Sequence, residues 1–252
     1  MQKSLMRTSN PALSNRVFDN IQFTGIESSM TINGTMNKTG LLLLLLILAA
    51  SFVWNKFFQS WDPAIAFPWI IAGAFGGFIM ALITIFKPRS AGVTAPIYAL
   101  LEGLFLGGVS AVMESSYPGI VFQAVLLTLG TMVSMLILYR SGLIRVTARF
   151  RLGVMAATGG IAMIYLLTII LSLFGVRFPF IHEGSLFGIG FSLFVVGIAA
   201  LNLVLDFDFI EQGARRGLPK YMEWYSAFGL LVTLVWLYIE ILRLLAKLRS
   251  RN

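Results

Sequence analysis

GSLFGIGFSLFVVGIAALNLVLDFDFI, residues 184–210, is an apolar run of 27 residues that carries two carboxylates, Asp206 and Asp208, near its end. At about 1.5 Å per residue it spans about 40 Å as a helix, more than the ~20 residues needed to cross hydrocarbon. A soluble core helix is rarely so long and so apolar on every face. Acids at the end of such a run are costly in lipid. They therefore face a protein interior, a water-filled path or the headgroups. The two cannot share one direction, because residues two apart lie about 200° apart around a helix. Asn202 sits four residues before Asp206 and shares its face. Asp206 is thus expected inward, and Asp208 toward another helix or the headgroups.

The rest of the chain agrees with a membrane reading. Of 252 residues, 58% are hydrophobic and only 12% charged, against about 25% charged in soluble domains. Six further apolar spans flank the quoted one, near 40–58, 64–86, 91–113, 119–139, 152–174 and 222–248. Their separators hold turn chemistry: Trp61-Asp62-Pro63, Lys87-Pro88-Arg89, Ser116-Tyr117-Pro118 and Gly217-Leu218-Pro219. The runs are continuous rather than alternating, which excludes a membrane barrel. The fold expected is all-α, a polytopic transmembrane bundle of seven helices over residues 40–248. A flexible, polar, basic tail over 1–39 precedes it, and a basic end over 249–252 follows. No apolar core lies near Met1, so the start reads as a tail and not as a signal peptide.

Charge sets the expected orientation. Net charge is +8. With so apolar a chain, this points to loops that fix topology and touch anionic headgroups rather than to nucleic acid. The tail carries Lys3, Arg7, Arg16 and Lys38, and every second loop is basic: Lys87 and Arg89; Arg140, Arg145, Arg149 and Arg151; Arg215, Arg216 and Lys220. The alternate loops hold only Lys56, none, and Arg177. The N-terminus is therefore expected in the cytoplasm. The end of the chain resists this rule. Seven spans place Arg243, Lys247, Arg249 and Arg251 at the outer side, unless the last segment is re-entrant.

Few residues remain for chemistry. There is no cysteine and one histidine, His182, beside Glu183. This excludes thiol chemistry, and a lone histidine reads as an ordinary surface residue rather than a metal ligand. No GxSxG or HExxH element occurs, so an enzyme is not expected. The ionisable groups inside spans are Glu102, Asp206, Asp208 and Glu240. Glu102 lies about 16 Å into the third span with Tyr98 on its face. Glu240 has Arg243 three residues on, a local ion-pair distance. Gly73/Gly77, Gly103/Gly107 and Gly184/Gly188 are small-xxx-small pairs that mark close helix contacts.

YALLEGLFLG (98–107), LDFDFIE (205–211) and LYIEILRLL (237–245), in that order within seven spans, resemble the Bax inhibitor-1 / YccA family. The opening SNPALSNRVFDN (9–20) resembles a bacterial branch of it. The resemblance implies a multi-pass protein of the bacterial cytoplasmic membrane, with the last helix central among the other six. It also implies a pH-sensitive calcium leak gated by an acid on the sixth helix and one on the seventh. Those positions fall on Asp206 and on Glu240, where Glu stands for the family's usual Asp. Calcium would be the transported ion, with no cofactor. A carboxylate pair in low dielectric shares one proton; ionised, it attracts a hard cation such as Ca²⁺. A second reading, also implied by the resemblance, is a non-conducting regulator that binds a membrane protease or stress-response partner through its tail. One departure stands against a direct pair: Asp206 and Glu240 are 34 positions apart. Straight helices then leave them at different depths, and Glu102 becomes a rival partner for Glu240. A break in the last helix near Gly229 would bring Asp206 and Glu240 together.

Overall fold

A computed structural model describes residues 29–175 and 185–251. Among the described residues, seven helices are long and apolar enough to cross a membrane. They are α1 (Ile32–Ser60), α2 (Pro63–Phe86), α3 (Ala91–Ser116), α4 (Ile120–Arg140), α5 (Ala148–Leu173), α6 (Leu186–Arg215) and α7 (Met222–Arg249). Each begins and ends for local reasons. Asp62 accepts a hydrogen bond from Ala64 N while Pro63 takes the first helical position of α2, where a missing N–H costs nothing. Thr147 caps α5 through Phe150 N, and Ser185 caps α6 through Gly188 N. Glu114 accepts from Gly119 N and Val121 N and so closes the turn into α4.

The chain runs up and down, so α1 starts at one face of the bundle and α7 ends at the other. These are called here the N-terminal and C-terminal faces. α7 is the most buried helix, with 67% of its apolar window inside the protein, whereas α5 buries 11% and leans chiefly on α6. α7 packs against α6, α1, α4 and α3. Leu230, Leu234 and Leu237 of α7 interlock with Leu203, Phe207 and Ile210 of α6 in one cluster. Tyr98 of α3 meets Phe228 of α7 edge to face at 5.0 Å in another. The outward faces are apolar: Phe75, Phe122 and Leu166 are all exposed. A surface of that kind is stable only against lipid.

Glycine sets the spacing of α1, α2 and α3, as the small-residue pairs predict. A Cβ on Gly107 would lie 2.5 Å from the Ala50 carbonyl oxygen of α1. One on Gly73 would lie 2.5 Å from the Leu101 carbonyl oxygen of α3. The backbones approach so closely that only a hydrogen fits. Gly184 lies outside the described residues.

The two boundaries that differ most from the sequence reading are the start of α1 and the end of α6. α1 begins at Ile32, eight residues before Gly40, and α6 continues past Ile210 to Arg215. Residues 32–39 read as tail because INGTMNKT is polar. The structure shows what holds them. Thr31 caps the helix by accepting from Gly34 N. The carboxylate of Glu223, on the first turn of α7, accepts from Thr31 N at 2.9 Å and Thr31 Oγ1 at 3.1 Å, and pairs with Lys38. Met30 N donates to the Leu218 carbonyl at 2.7 Å. Gly34 lies flat against the Glu223 carboxylate, where any side chain would collide. This clasp ties the start of α1 to the α6–α7 turn. Glu223 is 1% exposed, and an acid on a first helical turn also faces the positive end of the dipole.

Four variants of the purified protein test these contacts in thermal melts. Gly107→Leu should destabilise it by about 1–3 kcal/mol, since α1 cannot yield without moving backbone. Gly130→Ala, at a position with nothing within 4 Å, should stay within about 1 kcal/mol of the parent. Glu223→Ala should cost about 3–5 kcal/mol by stranding buried donors, and Glu223→Gln less, because the amide oxygen still accepts from Thr31.

Candidate functional site

The depth of each acid follows from side-chain contacts between helices. Lys247 Nζ of α7 reaches Gly188 O at 3.1 Å and Ser192 Oγ at 2.7 Å on α6. Phe209 shares a cluster with Phe228, and Leu203 with Leu234. This antiparallel register sets Glu240 level with about Gly197, and Asp206 level with about Leu231. α7 runs unbroken through Gly229 as one helix from Met222 to Arg249. The two acids therefore stand about 13 Å apart along the bundle axis. The sixth- and seventh-helix acids do not form one pair. Glu102 does not reach Glu240 either. The Tyr98–Phe228 contact and the Ser110–Tyr238 hydrogen bond of 2.7 Å set α3 parallel to α7. That register puts Glu102 near the level of Asp206.

Glu240 is 1% exposed. Its Oε1 accepts from the Tyr165 hydroxyl at 2.9 Å and from Arg243 at 3.0 Å, and Arg243 also donates to the Tyr165 oxygen at 2.9 Å. The three close a ring between α5 and α7. The Arg243 guanidinium lies 5.2 Å from the centre of the Tyr165 ring, which adds a cation–π contribution. The second oxygen, Glu240 Oε2, is buried and has no hydrogen-bond partner among the described residues. Leaving such an atom unmet costs about 1–3 kcal/mol.

Asp206 is also 1% exposed and lies on the buried side of α6. Asn202, one turn away, donates to Thr158 Oγ1 of α5 at 2.8 Å and to its own helix at Ile198 O at 2.9 Å. The polar stripe read from the sequence is therefore an interior one. Asp208 points elsewhere, as the helical angle requires. It accepts from Arg151 of α5 and from Gln212, each at 2.6 Å. Glu102 is half-buried against α2, where Gly77 makes room: a Cβ there would sit 2.9 Å from Glu102 Oε2. Among the described residues, no group of three or more Asp, Glu, His or Cys side chains gathers as a metal cage. His182 and Glu183 lie outside the described residues.

Partners from distant helices were not visible in the sequence. Tyr165 and Arg151 look like an ordinary lipid-belt tyrosine and a loop arginine, yet they meet Glu240 and Asp208. The basic end of the chain acquires an explanation as well. Arg243 binds Glu240, Lys247 donates to α6, and Arg249 donates to Pro118 O at 2.6 Å and Gln123 Oε1 at 3.2 Å. These cations are spent on acceptors within the bundle. They act as contacts more than as topology signals, and no re-entrant segment is needed to account for them.

The sequence matches the family model described as Bax inhibitor 1 like over residues 10–250, nearly its whole length. No curated protein and no solved structure matches it. With seven membrane-length helices and motif-bearing acids on α3, α6 and α7, this multi-pass membrane protein belongs to the Bax inhibitor 1 like family.

Proposed function

We propose that the protein is a pH-sensitive leak for calcium or a similar cation, with Asp206 and Glu240 as two successive stations. The observation that carries this reading is Glu240: a carboxylate buried inside the bundle with one oxygen held and the other unmet among the described residues. An ionisable group kept at that depth is a functional candidate by default. Glu240 Oε2 either carries a proton or accepts a cation. Protonation removes the charge that holds Arg243 and would draw a cation, and so closes the path. Deprotonation leaves an oxygen free for a hard cation, which prefers oxygen ligands.

The separation of the acids gives the proposal its form. One Ca²⁺ cannot bridge both carboxylates across about 13 Å. An ion would pass from one to the other, weakly held at each, which is what conduction requires. Asp206 and Glu102, near one level, would serve the station closer to the N-terminal face, with Asn202 and Asp208 shaping its approach. The basic loops at that face favour a cytoplasmic N-terminus, in a bacterial cytoplasmic membrane. No catalytic step and no resident cofactor enter this account.

The second reading, a non-conducting regulator of a membrane protease or stress-response partner, draws on the basic residues before the clasp. Because residues 29–38 hold the fold together, its test is deletion of residues 1–28 alone. Loss of partner binding with flux intact would favour it.

In proteoliposomes, calcium flux should rise from acid to neutral pH. Glu240→Gln should flatten that dependence, and Asp206→Asn should lower flux at neutral pH by about tenfold or more, one step of 1.4 kcal/mol. Parental flux and an unaltered pH profile in both variants would remove these acids from conduction.

A further inference from the structure

We propose that a cavity at the N-terminal face, between α1, α4 and α6, binds a phosphate-bearing anion: the headgroup of an anionic phospholipid or a soluble phosphate ester. The cavity has a volume of ≈ 990 Å³, at the upper end of the range for ligand pockets. Its floor and rim differ in chemistry. Leu136 of α4 and Phe207 of α6 form part of an apolar wall, about one and two turns deeper than the ends of their helices. Arg140, Arg145, Arg215 and Arg216 stand at the rim, where α4 and α6 finish.

Among the described residues lining the cavity, four arginines face two carboxylates, Asp208 and Glu211. Its two carboxylates are already met: Asp208 by Arg151 and Gln212, Glu211 by Arg215 and the Tyr139 hydroxyl. Arg140 and Arg145 are exposed and make no ion pair among the described residues. They flank one turn, Ser141–Ile144, whose Gly142 adopts φ 72°. That left-handed residue reverses the chain just after α4 and keeps both arginines at the same rim. Guanidinium forks match phosphate oxygens two at a time. Basic pockets between helices at the membrane surface suit anionic headgroups, whose acyl chains would continue along the apolar wall. A soluble phosphate ester would use the same arginines and leave that wall bare.

The test uses the delipidated full-length protein in detergent, with thermal shift and native mass spectrometry as readouts. The probes are short-chain phosphatidylglycerol, short-chain phosphatidylcholine and glycerol 3-phosphate. Saturable binding of phosphatidylglycerol, with neither of the others, supports a lipid headgroup. Equal binding of glycerol 3-phosphate supports the same site with a soluble source. In either case Arg140→Gln/Arg145→Gln should weaken binding by about tenfold or more, and Arg89→Gln, on another loop of the same face, should leave it unchanged. Should the glutamine variant fail to fold, Arg140→Lys/Arg145→Lys keeps the charge, removes the forks and should still weaken binding. The proposal is overturned if neither phosphatidylglycerol nor glycerol 3-phosphate binds saturably, or if zwitterionic phosphatidylcholine binds as well as phosphatidylglycerol. It is also overturned if the folded variants bind as the parent does, or if Arg89→Gln weakens binding equally.

Discussion

A charge inside a slab of hydrocarbon has to be met by the protein, because the solvent cannot meet it. The helices of this bundle are arranged around that requirement. Arg243 and Tyr165 meet Glu240, Arg151 and Gln212 meet Asp208, and Lys247 is met by Gly188 and Ser192. The contacts of Tyr165, Arg151 and Lys247 join α6 or α7 to a neighbour or to each other, while those of Arg243 and Gln212 with the acids lie within one helix. α5, which buries little apolar surface of its own, is tied to α6 and α7 by Arg151, Thr158 and Tyr165. Dispersion at glycine contacts holds α1, α2 and α3 together instead. The bundle thus has two kinds of adhesion, small-residue packing on one side and polar contacts on the other, with α7 touching both.

The proposed function attaches to the same requirement. Glu240 has one oxygen that is buried without a donor among the described residues. Its partners hold it in place without completing it, and this incompleteness is what a proton or a cation can answer. Asp206 stands at another depth on α6, so in the proposed leak the two acids would act in sequence and not as a clamp.

Much of the fold was legible in the sequence because lipid imposes a simple pattern: long apolar runs with turn residues between them. Asp62-Pro63 and Gly217-Leu218-Pro219 fall at helix boundaries for the local reasons that the residue types suggest. The split between Asp206 and Asp208 was legible too, since helical geometry alone demands it. The start of α1 was not, because INGTMNKT is anchored by the carboxylate of Glu223, nearly 200 positions away. Tyr165 and Arg151 were missed for the same reason: nothing in their local sequence marks them as partners of acids on other helices. The basic C-terminus was legible only as an anomaly. Its meaning lies in acceptors on α4 and α6 that the sequence does not point to.

The central claim is that Asp206 and Glu240 occupy different depths. The chain contains no cysteine, so pairs of introduced cysteines report on it cleanly through disulfide formation in native membranes. A disulfide needs Cα atoms about 4.4–6.8 Å apart. Ser192→Cys with Lys247→Cys, at two positions joined by the long lysine side chain, should be bridged readily by a short bifunctional thiol reagent. Asp206→Cys with Glu240→Cys should not cross-link at any pH. Efficient cross-linking of the second pair would contradict the register, and with it the account of two successive stations.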